Sequence, residues 1–199
     1  METPRMAYLD GTAQRVCELA LGEIGYVEQP ENITKYGKFT GADGLPWCGS
    51  FVNWTFSQAG VKLPSMVSTA AGASRMKEIG RWTDEPRPGD LAFMDFPHDG
   101  IDRISHIGIV VKVGPKNCFI VEGNTSGTGD QRNGGQVMLK KRPRISGPIV
   151  GYARPKFVTS LDAFPVVDDV ADDVIEEKPK KKKGAKKNGT TKGTTSELE

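Results

Sequence analysis

The chain has 199 residues, with 27 Lys and Arg against 25 Asp and Glu, a net charge of +2. Charge this close to balance leaves no basic footprint for a nucleic-acid partner, and no run approaches the 18 or more apolar residues of a membrane span. Hydrophobic residues make up only 37%, which is low for a chain that is compact throughout, so a polar, unstructured portion is expected.

Met1 to Leu21 carry Glu2, Asp10, Arg15 and Glu18 among their apolar residues. Without a continuous apolar core they do not read as a secretory signal, and synthesis in the cytoplasm is expected. The three cysteines, Cys17, Cys48 and Cys118, are widely spaced with no CxxC. That argues against a disulfide framework or a zinc site, and leaves each as core filler or nucleophile.

A first helix is predicted over 12–24. Thr12 suits its N-cap, and Val16, Leu19, Ala20 and Ile24 recur at helical spacing with Cys17 beside them. Residues 25–46, rich in Gly, Pro and Asn, read as loop. A second helix is predicted over 48–59, where Cys48, Phe51, Val52, Thr55 and Ala59 share one face and Gly60 fits the C′ stop. A third runs over 69–79, stopped by Gly80. The period then changes. Short strands are predicted over 90–96, 107–113, 118–122, 136–141 and 149–153, rich in Val, Ile and Phe and parted by Gly, Pro and Asn. Helices first and strands second imply an α+β domain with an antiparallel sheet.

The composition shifts again in the tail. Residues 162–177 hold seven acids and no base; residues 178–192 hold eight lysines and no acid. So little apolar surface cannot offset the entropy of ordering, so the expected organisation is one domain over 1–158 and a disordered tail over 159–199. The lysine block reads first as solvated, and secondarily as an attraction toward anionic polymers.

Cys48 stands apart from the other cysteines. It follows the loop and opens the second helix, where free amides and the macrodipole favour an anion. Its backbone N–H is also placed to donate to an oxyanion. A proton partner must be His98 or His106. His98 sits in turn chemistry (Phe96-Pro97-His98-Asp99-Gly100), whereas His106 begins a strand, a more rigid support for a base. Alternation puts His106, Gly108 and Val110 on one face, and Gly108 leaves room for another group beside the imidazole. Glu122 ends the next strand and suits the acid that orients the ring; Asn124, of the same parity, suits a group that orients a ring or supports the oxyanion.

Four blocks carry a family resemblance: Pro46-Trp47-Cys48-Gly49-Ser50-Phe51-Val52, Arg87-Pro88-Gly89-Asp90-Leu91, Ser105-His106-Ile107-Gly108-Ile109-Val110 and Val121-Glu122-Gly123-Asn124. In this order they resemble the CHAP domain (cysteine- and histidine-dependent amidohydrolase/peptidase) of phage endolysins and bacterial peptidoglycan hydrolases. The similarity extends from about Gly22 to Pro155. It implies a papain-like fold, hydrolysis of an amide in cell-wall peptides, Cys48 as nucleophile, His106 as base, Glu122 as orienting acid and Asn124 as supporting polar group. It further implies an endolysin-like monomer, released to the wall through a holin, that acts as an N-acetylmuramoyl-L-alanine amidase or a peptide cross-link endopeptidase. No cofactor is called for. Some relatives bind calcium near the nucleophile, but residues 41–48 offer only Asp43.

The remaining candidates have blander readings. Cys17 and Cys118 read as core filler, His98 as a surface loop residue, and the Asp90 block as a structural turn. Trp47 and Trp54 read as core or wall aromatics rather than sugar platforms, with Trp47, next to Cys48, the candidate to line the cleft. Two rival functions stand beside wall hydrolysis: a non-catalytic phage structural or wall-binding module that kept the fold, and an amidase acting on a soluble peptide conjugate.

Overall fold

The computed structural model describes residues 8–96, 103–127 and 133–158. His98 and the charged tail lie outside the described residues. Four α-helices precede a six-stranded sheet: α1 (Ala13–Gly22), α2 (Lys35–Thr40), α3 (Cys48–Gln58), α4 (Thr69–Glu78), then β1 (Trp82–Thr83), β2 (Leu91–Met94), β3 (His106–Val113), β4 (Asn117–Thr125), β5 (Gln136–Pro143) and β6 (Ile149–Ala153). The strand order is β1-β6-β2-β3-β4-β5, and every neighbouring pair is antiparallel. This is the α+β architecture expected from helices followed by strands. No described helix is long and apolar enough to cross a membrane.

Local chemistry sets the helix ends. Thr12 caps α1, its side chain accepting from Arg15 N–H at 3.2 Å. Gly60 and Gly80, at φ +70° and +68°, lie just past α3 and α4, where a left-handed residue closes the last turn. The segment 25–46 is not all loop: α2 forms within it. Thr34 Oγ1 accepts from Gly37 N–H at 2.8 Å and Gly41 ends the helix in the left-handed region, so two caps define six residues. Gly37 and Gly41 weaken its helical pattern, but Tyr36 anchors it, fully buried against Trp47, Phe51 and Trp54. The two-residue β1 was likewise below what a pattern can show.

Strand alternation divides the apolar residues between two faces. Leu91, Phe93, Ile107, Ile109 and Val121 pack with Val16, Ala20, Phe51, Val52 and Phe56 of the helices to form the main core. Their strand neighbours Ala92, Val110, Cys118, Ile120 and Tyr152 form a smaller cluster. Each large side chain of the main core contributes on the order of 1.5–3 kcal/mol by leaving water.

Two glycines let α3 sit where it does. A Cβ on Gly123 of β4 would fall 2.7 Å from Phe51 Cβ and 2.8 Å from Trp47 Cζ3, so its absence lets β4 approach the first turn of α3. A Cβ on Gly49 would fall 1.8 Å from the Met66 carbonyl oxygen. That neighbour is backbone and cannot swing away. Gly49→Ala is therefore expected to destabilise the fold by about 3 kcal/mol or more, measured by urea unfolding.

Candidate active site

Cys48 is the first residue of α3, and no side chain caps that end of the helix. The first-turn amides are thus not claimed by a cap and keep their partial positive charge. Trp47, immediately before, is fixed rather than exposed. It is fully buried, stacks on Tyr36 at 5.2 Å between ring centroids, and donates its indole N–H to Glu28 at 2.5 Å. Trp47 is therefore a core residue that anchors the start of α3, not a platform in a cleft. Glu28 carries no local signal of this role, because its partner lies 19 residues away.

Burial does not distinguish the three cysteines: Cys17 is 7% exposed, Cys48 3% and Cys118 fully buried. Their neighbours do. Cys17 Sγ lies 3.6 Å from the Val110 carbonyl, and burial pushes its thiol up to about 12. Cys118 faces the Tyr152 hydroxyl at 3.5 Å and is also pushed up by burial. Only Cys48 faces an imidazole, that of His106.

His106 starts β3 and is fully buried. Its Nε2 lies 3.1 Å from Glu122 Oε2, while its Nδ1 is buried with no hydrogen-bond partner among the described residues. Burial works against an imidazolium here. The nearby Cys48 and Glu122 outweigh it and raise His106 to about 9. One ring nitrogen is thus held by the carboxylate, and the other is left for the thiol. Catalytic contacts of this kind are often loose before substrate binds.

The pairing of β3 with β4 creates this arrangement. Gly108 lies opposite Glu122 in the register, and a Cβ on Gly108 would fall 2.9 Å from Glu122 Cγ and 2.5 Å from Ile120 Cγ2. The space beside the imidazole is the space the glutamate occupies. Glu122 is fully buried, and Arg142 of β5 grips it with a fork: Nε to Oε1 at 2.8 Å and Nη2 to Oε2 at 2.7 Å. Burial alone would raise this carboxyl, but Arg142 and His106 together hold it down at about 2. Arg142 did not stand out in the sequence, where it reads as one more charge in Lys140-Lys141-Arg142.

Asn124 is buried close by in the chain, but its side chain points to other work. Its Nδ2 donates to Asn133 Oδ1 at 3.0 Å, its Oδ1 accepts from Gly135 N–H at 3.4 Å, and its φ is +57°. These contacts close the β4–β5 connection, and none reaches His106. Asp90 is buried and structural: Arg154 grips it at 3.1 and 2.9 Å, and Arg87 N–H donates to it at 2.8 Å. Among the described residues no three His, Cys, Asp or Glu side chains gather to hold a metal ion.

The His106–Glu122 pair has a consequence for stability. The contribution of His106 is complete below its ordinary value of 6.5 and is lost as pH rises to about 9. The contribution of Glu122 is complete above its ordinary value of 4.5 and is lost as pH falls to about 2. The melting temperature should therefore peak between these windows and fall on both sides. Thermal unfolding across pH checks this, and Glu122→Gln should flatten the acid-side fall.

Comparison with known proteins adds the following. Residues 40–124 match the family model of the CHAP domain. No curated protein is significantly similar to the chain. Solved structures with a related outline include NlpC1 from Trichomonas vaginalis, with a TM-score of 0.44 and 14% identity, covering 71% of this chain and 43% of that one. Ly7917 gives a TM-score of 0.45 and 16% identity, covering 73% of this chain and 63% of that one. A protein similar to a lipoprotein of the NLP/P60 family from Staphylococcus aureus gives 0.42 and 16%, with 77% and 44% covered. The chain spans less than two thirds of the length of each of these three structures. The segment that brings Cys48, His106 and Glu122 together is thus the one that matches the CHAP domain model, over residues 40–124.

Proposed function

We propose that this protein is a peptidoglycan hydrolase that cleaves an amide bond in cell-wall peptides, with Cys48 as nucleophile. CHAP domains are in general peptidoglycan hydrolases, which supports the substrate class. The single observation that carries the chemistry is the buried relay. Glu122 holds Nε2 of His106 at 3.1 Å, and the other ring nitrogen, unpartnered, is left to Cys48.

The steps follow from these groups. The Cys48 thiolate attacks the carbonyl carbon of the scissile amide, and the amide of Cys48 donates to the oxyanion. The imidazolium of His106 gives its proton to the leaving amine as the C–N bond breaks, leaving a thioester on Cys48. Water then attacks the thioester while His106 takes its proton; the C–S bond breaks, the carboxylic acid leaves, and the Cys48 thiolate is restored beside the His106 imidazolium. Glu122 stays ionised throughout and holds the ring in one tautomer.

A role as a phage lysis enzyme, released to the wall through a holin, is the biological setting we propose. The bond is either the amide between the sugar lactyl group and the stem peptide or one within the stem or cross-bridge. Mass spectrometry of fragments released from walls of defined structure decides between them. Stem peptides freed from intact glycan mean the first, and glycan-linked peptides with new amino termini mean the second. Fragments altered only in the glycan would overturn the proposal.

A further inference from the structure

Arg142 is the charged residue at this site for which the chemistry above has no use. It lies on β5 opposite Cys118 of β4, whereas Glu122 lies opposite Met138. Its side chain therefore runs back along the sheet to reach the carboxylate. Only 11% of the side chain is exposed. Its guanidinium carbon lies 5.1 Å from the centre of the Phe96 ring, which in turn lies 5.7 Å from the His106 ring. Such an arm is immobilised on both sides, unlike an ordinary surface ion pair.

The geometry of the fork is specific. Arg142 binds both oxygens of Glu122, and His106 shares Oε2. A carboxylate held at both oxygens cannot rotate, so the direction of its bond to the imidazole is fixed by the guanidinium plane. The neighbouring Lys140 is not a substitute, since its ammonium donates to the Ser126 carbonyl at 2.6 Å. Among the described residues, Cys48 from α3 and Glu122 from β4 act on the imidazole, and Arg142 and Lys140 from β5 act on Glu122; β2 presents Met94 opposite His106.

We propose that Arg142 is a positioning residue for the Cys48–His106 pair: it holds Glu122 ionised and aligned, and so sets the pH range in which the thiolate is available. The sign follows from charge. Removing a buried cation makes the thiolate harder to form, whether Glu122 stays ionised without its partner or takes up a proton and ceases to stabilise the imidazolium. The inference rests on Cys48 and His106 being the reacting pair.

The test is the rate of alkylation of Cys48 by iodoacetamide across pH, with the modified peptide identified by mass. Wild type, His106→Ala, Arg142→Met and Arg142→Lys are compared, each with its melting temperature. His106→Ala must change the wild-type profile; if it does not, the pairing itself fails, independently of Arg142. Arg142→Met should move the wild-type step upward by about one pH unit or more, a tenfold or larger slowing on its acid side. Arg142→Lys, which keeps the charge but loses the fork, should move it less and in the same direction. Should Arg142→Met not fold, Arg142→Lys decides. Profiles of the Arg142 variants that superimpose on wild type, even with a lowered melting temperature, would make Arg142 a structural anchor and overturn the proposal.

Discussion

Cys48→Ser is expected to lose wall hydrolysis by roughly 10,000-fold or more while folding as the wild type does. The change replaces one small buried atom and leaves the backbone of α3 untouched, because Trp47 is held by Tyr36 and Glu28 rather than by the thiol. What disappears is the thiolate, for which a hydroxyl beside an imidazole in this geometry is a poor replacement. Cys17→Ser and Cys118→Ser should keep full chemistry and lose only modest stability. Both thiols face backbone or phenol oxygens and are pushed up by burial, so neither is available as an anion. Hydrolysis of purified walls, with circular dichroism as a folding control, checks the series. Activity retained in Cys48→Ser would contradict the mechanism.

His106→Ala is expected to cost activity on the same scale, and combining it with Cys48→Ser should cost little more than either alone. The two groups act as a unit, so once one is gone the other has nothing left to activate. The fold should survive, since Arg142 still neutralises Glu122 after the imidazole is removed. Glu122→Gln should be milder. An amide can still accept from the ring, but it cannot stabilise its positive charge. Additive losses in the double variant would show that the two residues do not act in one step.

Some of this site is legible in the sequence because its signals are local. Cys48 opens a helix after a loop, His106 starts a strand, and Glu122 sits in a recognisable block within the next strand, which runs on to Thr125 rather than ending at the glutamate. Parity along β3 even indicated the vacancy at Gly108 that Glu122 fills. Arg142 was not legible, because its role depends on the β4–β5 register and on an arm that runs back past Lys140 and Met138. Glu28 was hidden for a similar reason: its bond to Trp47 crosses the segment that folds into α2. Asn124 shows the opposite failure. Its parity with Glu122 suggested a shared face, but the strand register shifts between Glu122 and Thr125, and the left-handed φ turns the side chain into the hairpin. Asn tolerates that conformation better than most residues, a property that sequence parity does not register.

The most direct measurement incubates purified bacterial cell walls with the wild-type protein and with Cys48→Ser, following new amino groups and new reducing sugars in the same samples. Amide hydrolysis by Cys48 is expected to release amino groups steadily, with no reducing sugars, and only in the wild type. Reducing sugars in the wild-type digest, or equal release of amino groups by Cys48→Ser, would contradict it.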